Sequence, residues 1–149
     1  MTQATLYLLD TNIISDMMRN PSGVAAQRVL NSSAQGSDAK VCTSIIVQCE
    51  LLFGLRKRSS PRWLAQYQKV MAPINVLPLE SGVADHYAKL RTALEEAGTP
   101  IGSNDTFIAA HALALDATLV TADAEFNRVP SLRVENWLAA DPQPSLIEK

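Results

Sequence analysis

Hydrophobic residues in this chain fall into short runs and helical stripes that alternate from one end to the other. Leu6 to Leu9 is an unbroken apolar run, which reads as a strand buried on both faces. After Asp10-Thr11-Asn12 the period becomes helical, with Ile13, Ile14, Met17 and Met18 on one side. A second helix is predicted from Val24 to about Ala34, followed by a turn at Gly36-Ser37-Asp38 and a strand over Lys40 to Thr43. Ser44 is placed to cap a long helix reaching Arg58, and Pro61 to open another that ends near Met71. Ile74 to Leu77 reads as a third strand. Ser81 to Ala97 is the clearest amphipathic helix, with Val83, Ala84, Tyr87, Leu90, Ala93 and Leu94 gathered on one side and Gly98 to end it. Asn104 to Leu115 is apolar almost throughout and so predicts a buried helix. A strand over Thr118 to Thr121, a helical turn over Asp123 to Asn127 and a last strand over Leu132 to Val134 complete the pattern.

Alternating strands and helices, with strands this short and apolar, imply a parallel sheet covered on both faces. The expected fold class is α/β, a three-layer α/β/α sandwich. A length of 149 residues suits one domain. Residues 1–139 are assigned to it, and 140–149, rich in proline and polar residues, to a loose tail.

Composition removes several function classes. No apolar run approaches the roughly 18 residues needed to span a bilayer. Met1-Thr2-Gln3-Ala4 carries no basic residue of the kind that opens a signal peptide, so a cytoplasmic location without membrane attachment is expected. Cys42 and Cys49 lack a CxxC spacing and have only His86 and His111 as soft co-ligands, which argues against a zinc site. Both cysteines are read as small buried apolar side chains, and His111 as a core or edge histidine. The net charge of −2 hides a local concentration of cations. Arg56, Lys57, Arg58 and Arg62 stand together with Trp63 and Tyr67 just beyond. They form either a basic patch for nucleic acid or a solvated helix end whose cations face the C-terminal carbonyls.

The strongest chemical signal is a set of four acids in contexts that surface carboxylates rarely occupy. Asp10 follows the first strand, Asp123 follows Thr118-Leu119-Val120-Thr121, Asp105 leads an apolar helix, and Glu50 has Ile46, Val47, Phe53 and Gly54 as its helical neighbours. Taken singly, Asp10 and Asp123 are ordinary helix caps. In an open parallel sheet, however, ligands sit beyond the carboxyl ends of the strands, where the strand order reverses. Gathered there, the four would need a neutraliser, because an unpartnered buried carboxylate costs several kcal/mol, roughly. A hard divalent cation, Mg²⁺ or Mn²⁺, suits an all-oxygen donor set. Glu80, Asp85, Glu95, Glu96 and Asp116 lack these contexts and are read as surface.

The segments Leu8-Leu9-Asp10-Thr11-Asn12, Glu50-Leu51-Leu52-Phe53-Gly54, Ile101-Gly102-Ser103-Asn104-Asp105 with Ile108-Ala109-Ala110-His111-Ala112, and Leu119-Val120-Thr121-Ala122-Asp123 with Phe126 resemble the PIN-domain ribonucleases. Among these the resemblance is to the VapC toxins of bacterial type II toxin–antitoxin modules, including the FitB proteins, and it runs from about residue 6 to Trp137. It implies a five-stranded parallel sheet and a metal site formed by Asp10, Glu50, Asp105 and Asp123. Thr11, Asn12 and Thr121 match the family's polar residues beside those acids. Ala122 departs from the asparagine common in relatives.

The implied reaction is hydrolysis of RNA phosphodiester bonds by metal-activated water, with transfer RNA the leading substrate. Asp10 and Asp105 would be the principal ligands, with Glu50 holding metal or water and Asp123 completing the shell. The basic group would position the RNA backbone. Resemblance also implies a homodimer, a neutralising antitoxin and operator DNA reached only through that antitoxin. Leu52, Phe53, Leu55, Trp63 and Tyr67 are the expected antitoxin surface, since the long helix carries more apolar residues than one core face requires. The alternative is a toxin-like partner in a DNA-bound repressor complex with little nuclease activity. A haloacid dehalogenase-type phosphatase is set aside because Asn12 stands where its second aspartate belongs.

Overall fold

Three kinds of local signal turn this sequence into discrete elements. In the computed structural model, which describes residues 5–34 and 36–138, every helix but the second begins or ends on one of them. Asp10 caps helix α1 (Thr11–Arg19) by accepting from the Thr11 N–H, and Ser44 caps α3 (Ile45–Arg58) by accepting from Ile46. Ser60 caps α4 (Pro61–Met71), whose proline occupies the first turn, where no N–H is missed. Helix α5 (Gly82–Glu96) closes on Gly98 at φ 73°, with Thr99 N–H on the Leu94 carbonyl and Gly98 N–H on that of Glu95. This double bond is a Schellman motif, and its left-handed position favours glycine. Helix α6 (Ser103–Leu115) ends the same way, with Asp116 at φ 54°. Helix α2 (Val24–Ser32) is the remaining one.

Five strands, β1 (Thr5–Leu9), β2 (Ala39–Ser44), β3 (Asn75–Leu77), β4 (Thr118–Val120) and β5 (Val134–Glu135), form one parallel sheet in the order β3-β2-β1-β4-β5. The first crossovers step outward from β1 to β3, and the next returns past β1 to its other side. Right-handed crossovers then put the returning helices on the opposite face. Accordingly α1 packs on α2, α3 and α4, whereas α5 and α6 pack on each other. The order reverses between β1 and β4, which opens a crevice at their carboxyl ends.

The predicted elements are all present, with boundaries moved at the ends. The last strand lies at Val134–Glu135, two residues beyond its predicted start, because Ser131 at φ 65° extends the preceding turn. Thr121 falls outside β4, yet its N–H continues the ladder onto the Glu135 carbonyl at 2.9 Å. Cys42 is buried as expected, whereas Cys49 is exposed. It lies on the outer side of α3, which buries only Val47 and Leu51. The expected tail lies outside the described residues. Among those described, no helix is long and apolar enough to cross a membrane.

The core centres on Leu8, Leu9, Ile13, Ile14, Ile108, Leu119, Val120 and Phe126, all without solvent exposure. Phe126 anchors the 3₁₀ turn (Ala124–Arg128) that follows β4. Replacing Phe126 with Ala should cost about 3–5 kcal/mol through lost burial and a residual cavity, measured by urea denaturation. A loss below about 1 kcal/mol would show that the turn is held by something other than this ring.

Candidate active site

The end of β1 delivers Asp10 into the crevice, and its carboxylate is engaged on both oxygens. Oδ1 accepts from the Thr11 N–H at 2.8 Å, and Oδ2 from the Thr121 hydroxyl at 2.8 Å and Asn12 Nδ2 at 3.2 Å. Only 4% of Asp10 is exposed. Its pKa is raised, chiefly by burial, with Glu50 and Asp123 adding to the rise and the bonds from Thr121 and Thr11 opposing it. Asn12 extends the arrangement across the crevice, because its Oδ1 accepts from the Ala122 N–H at 2.9 Å. The backbone thus makes a contact at Ala122 that does not depend on the missing asparagine side chain.

Glu50 reaches the same place from α3. Its Oε1 accepts the Thr11 hydroxyl proton at 2.6 Å, and its Oε2 stands 3.5 Å from Asn104 Nδ2. Asp105 comes from the first turn of α6. Asp123 follows β4 and caps the 3₁₀ turn by accepting from the Glu125 N–H at 2.9 Å. All four predicted acids therefore meet at one end of the sheet, where the other three each push the Asp105 pKa up, and Thr11, Asn12 and Thr121 tie Asp10 to Glu50 and to the Asp123 main chain.

The tightest group includes an acid that sequence reasoning missed. Oxygens of Asp105, Asp123 and Glu125 lie within 4.8 Å of one another. Glu125 is exposed and sits in a polar turn, so it carries none of the apolar context that marked the other four. A usable signal was its spacing, two residues after a capping aspartate in a tight turn ahead of the buried Phe126.

Asp105 carries the largest consequence of this crowding. Its pKa is pushed up to about 6, first by burial and then by Asp10, Asp123, Glu50 and Glu125. An all-oxygen donor set that raises its own proton affinity when uncompensated fits a hard divalent cation. The reverse alternative, a set of satisfied structural caps, leaves Asp105 unexplained, since its helix has no side-chain cap bond at all.

The PIN domain family matches residues 7–132. The chain belongs to the PIN-domain family. Ribonuclease VapC1 of Haemophilus influenzae is 34% identical over 134 residues, which cover 89% of this chain and 98% of the relative. The tRNA(fMet)-specific endonuclease VapC of Shigella flexneri is 36% identical over 134 residues, covering 88% and 97%. Among solved structures, VapBC2 from Rickettsia felis bound to a promoter DNA fragment superposes with a TM-score of 0.82 at 30% identity, covering 89% of this chain and 99% of that one. The five-stranded parallel sheet is thus the fold of a VapC-type PIN domain.

The remaining predicted residues of this PIN domain are scattered around the C-terminal half of α3. Arg56, Lys57 and Arg58 occupy its last turn. Lys57 stands 5.4 Å over the Phe53 ring and Arg62 5.5 Å over Trp63, while Arg58 lines a groove that reaches Glu50. Leu52 and Phe53 face solvent at 41% and 65% exposure. Leu55 and Trp63 are half-buried, and Tyr67 is buried beneath them with its hydroxyl bonded by Gln48 at 3.1 Å. Tyr67 therefore supports this face from below. His111 is buried too, its Nδ1 2.8 Å from the Ser44 hydroxyl, and burial holds its pKa down.

The Asp105 shift fixes a pH dependence. Its folded pKa lies above its unfolded one, so its contribution to stability is complete below about pH 4 and is lost as the pH rises through about 6. Metal-free protein should therefore lose stability across that window, and Asp105→Asn should flatten the loss. Thermal melts at several pH values in the presence of a chelator measure it. A wild-type and variant that respond identically would remove Asp105 as the source.

Proposed function

We propose that this PIN-domain protein is a divalent-metal-dependent endoribonuclease and the toxin half of a toxin–antitoxin pair. The observation carrying this reading is the meeting of Asp10, Glu50, Asp105 and Asp123 beside β1 and β4, with Glu125 adjoining them. The names of the Haemophilus and Shigella relatives support ribonuclease activity, and the latter favours transfer RNA as substrate.

Asp10, Asp105 and Asp123, with Glu125 and Glu50 beside them, would hold Mg²⁺ or Mn²⁺. The bound cation would lower the pKa of a water and stabilise charge on the phosphate oxygens. The protein's own residues supply orientation. Thr121 and Asn12 hold Asp10 in one rotamer, and Thr11 does the same for Glu50, so little ordering remains to be done when RNA binds. Glu50 would orient the attacking water and receive its proton at Oε2. Arg56, Lys57, Arg58 and Arg62 would offset the negative field of the site and guide the RNA backbone.

Asp10→Asn should reduce cleavage of transfer RNA by at least about 100-fold and leave the fold intact. Asparagine keeps the cap and the shape but loses the charge. Cleavage assays on gel-purified RNA, together with circular dichroism, check both halves. A folded variant that retains full Mg²⁺-dependent cleavage would sink the assignment.

The antitoxin would cover Leu52, Phe53, Leu55 and Trp63, where two exposed large apolar side chains adjoin two half-buried ones, the kind of contiguous patch that marks a protein–protein contact. That the Rickettsia neighbour is a VapBC complex on promoter DNA supports such a partner and an indirect link to an operator. Phe53→Glu should weaken antitoxin binding about 30-fold, the scale of a central hot spot, without altering RNA cleavage by the free protein. Calorimetric titration with purified antitoxin measures this, and an unchanged affinity would take Phe53 out of the interface.

A further inference from the structure

A groove of about 180 Å³ opens beside Thr11 and Glu50, between α1, α3 and α4. Its floor is apolar, built from Met18, Leu51 and Leu55, with Trp63 at one side. Arg19 and Arg58 stand on its rim, and among the described residues neither forms an ion pair with an acidic side chain. Arg19 lies in the last turn of α1, where the helix dipole favours a cation. The dipole does not explain why guanidinium groups from two different helices line one cavity that ends at a catalytic carboxylate.

Gly54 belongs to the same wall. It sits inside α3, where glycine weakens a helix relative to alanine. Two structural reasons for tolerating it are absent. Its φ is not positive, and a Cβ built there meets no atom within 4 Å. The fold has room for a side chain at this position, and the room is the groove.

We propose that this groove seats the nucleotide next to the scissile phosphate, with Arg19 and Arg58 on its phosphates, Trp63 and the apolar floor against its base, and Gly54 leaving space for it. The proposal rests on the reading of this chain as an RNA-cleaving enzyme and names where its substrate lies. Size suits a single base with its sugar and phosphate left at the open rim, since pockets that enclose a whole drug-sized ligand start at about 300 Å³. Charge supports an anionic occupant, because a phosphate approaching the clustered carboxylates gains from two unpaired guanidinium groups. Arg62, over the indole of Trp63, holds that ring for stacking against a base.

The test uses the full chain with Asp10→Asn to prevent cleavage and a fluorescent single-stranded hexanucleotide RNA, followed by anisotropy at several salt concentrations. Arg19→Gln should weaken binding about tenfold and lower the salt slope by about 0.7, the value of one phosphate contact on a single strand. Gly54→Leu should weaken it at least as much with the slope unchanged. Gly54→Ala should melt about 3 °C higher than the parent while binding RNA less tightly, a combination that a purely structural glycine would not give. Mn²⁺ binding to the same groove variants without the Asp10 substitution should stay at the parent value. RNA affinity within about twofold of the parent for Arg19→Gln and Gly54→Leu would overturn the proposal. So would a loss confined to antitoxin binding, which would assign the groove to that protein. If the wild-type chain cleaves RNA while the groove variants bind it normally, only the subsite fails. If the wild-type chain neither binds nor cleaves RNA, the functional reading fails and takes the subsite with it.

Discussion

The hydrogen-bonded carboxylate of Asp10 is the constraint around which this protein is organised. A charge that is only 4% exposed persists in a fold only if its lone pairs are filled. Here the donors come from the start of α1 and from the residue after β4. Satisfying Asp10 therefore joins the two central strands at the point where the sheet changes direction. The main chain repeats the link, since the Asp10 N–H donates to the Val120 carbonyl at 2.9 Å. Everything else in the site is placed relative to this joint.

Crowding of the other acids opposes stability, and the fold tolerates it because the surrounding core is dense. Phe126 lies directly after Glu125 and is fully buried, so the turn that presents Asp123 and Glu125 cannot swing outward to relieve repulsion. Asp105 shows the result in its raised pKa. Strain of this kind is expected where a site is shaped for a ligand that brings the missing charge.

Helix α3 serves three roles on three sides. Its N-terminus is held by Ser44, which also bonds His111 of α6, and this aligns the helix with the one that carries Asp105. One side buries Val47 and Leu51 in the core. Glu50 and Gly54 border the groove, and Leu52 and Phe53 are left facing solvent. Burial in the core accounts for only two of its side chains, which is why this helix shows so little segregation of polar from apolar residues.

Much of this was legible in the sequence because it depends on local chemistry. Strand runs, caps at Asp10 and Ser44, the start at Pro61 and the stop at Gly98 are set by backbone geometry and by neighbours within a turn. Asp10, Glu50, Asp105 and Asp123 stood out because a charge beside an apolar stripe is visible in one dimension. Which oxygens face one another is not visible there, because it depends on strand order and on the return of the chain past β1. Tertiary structure alone brought exposed Glu125 into the acid cluster, set Arg19 of α1 and Arg58 of α3 on one groove, buried Tyr67 and turned Cys49 outward. Local pattern records what each residue needs from its surroundings, whereas distances between residues far apart in the chain come from how the layers pack.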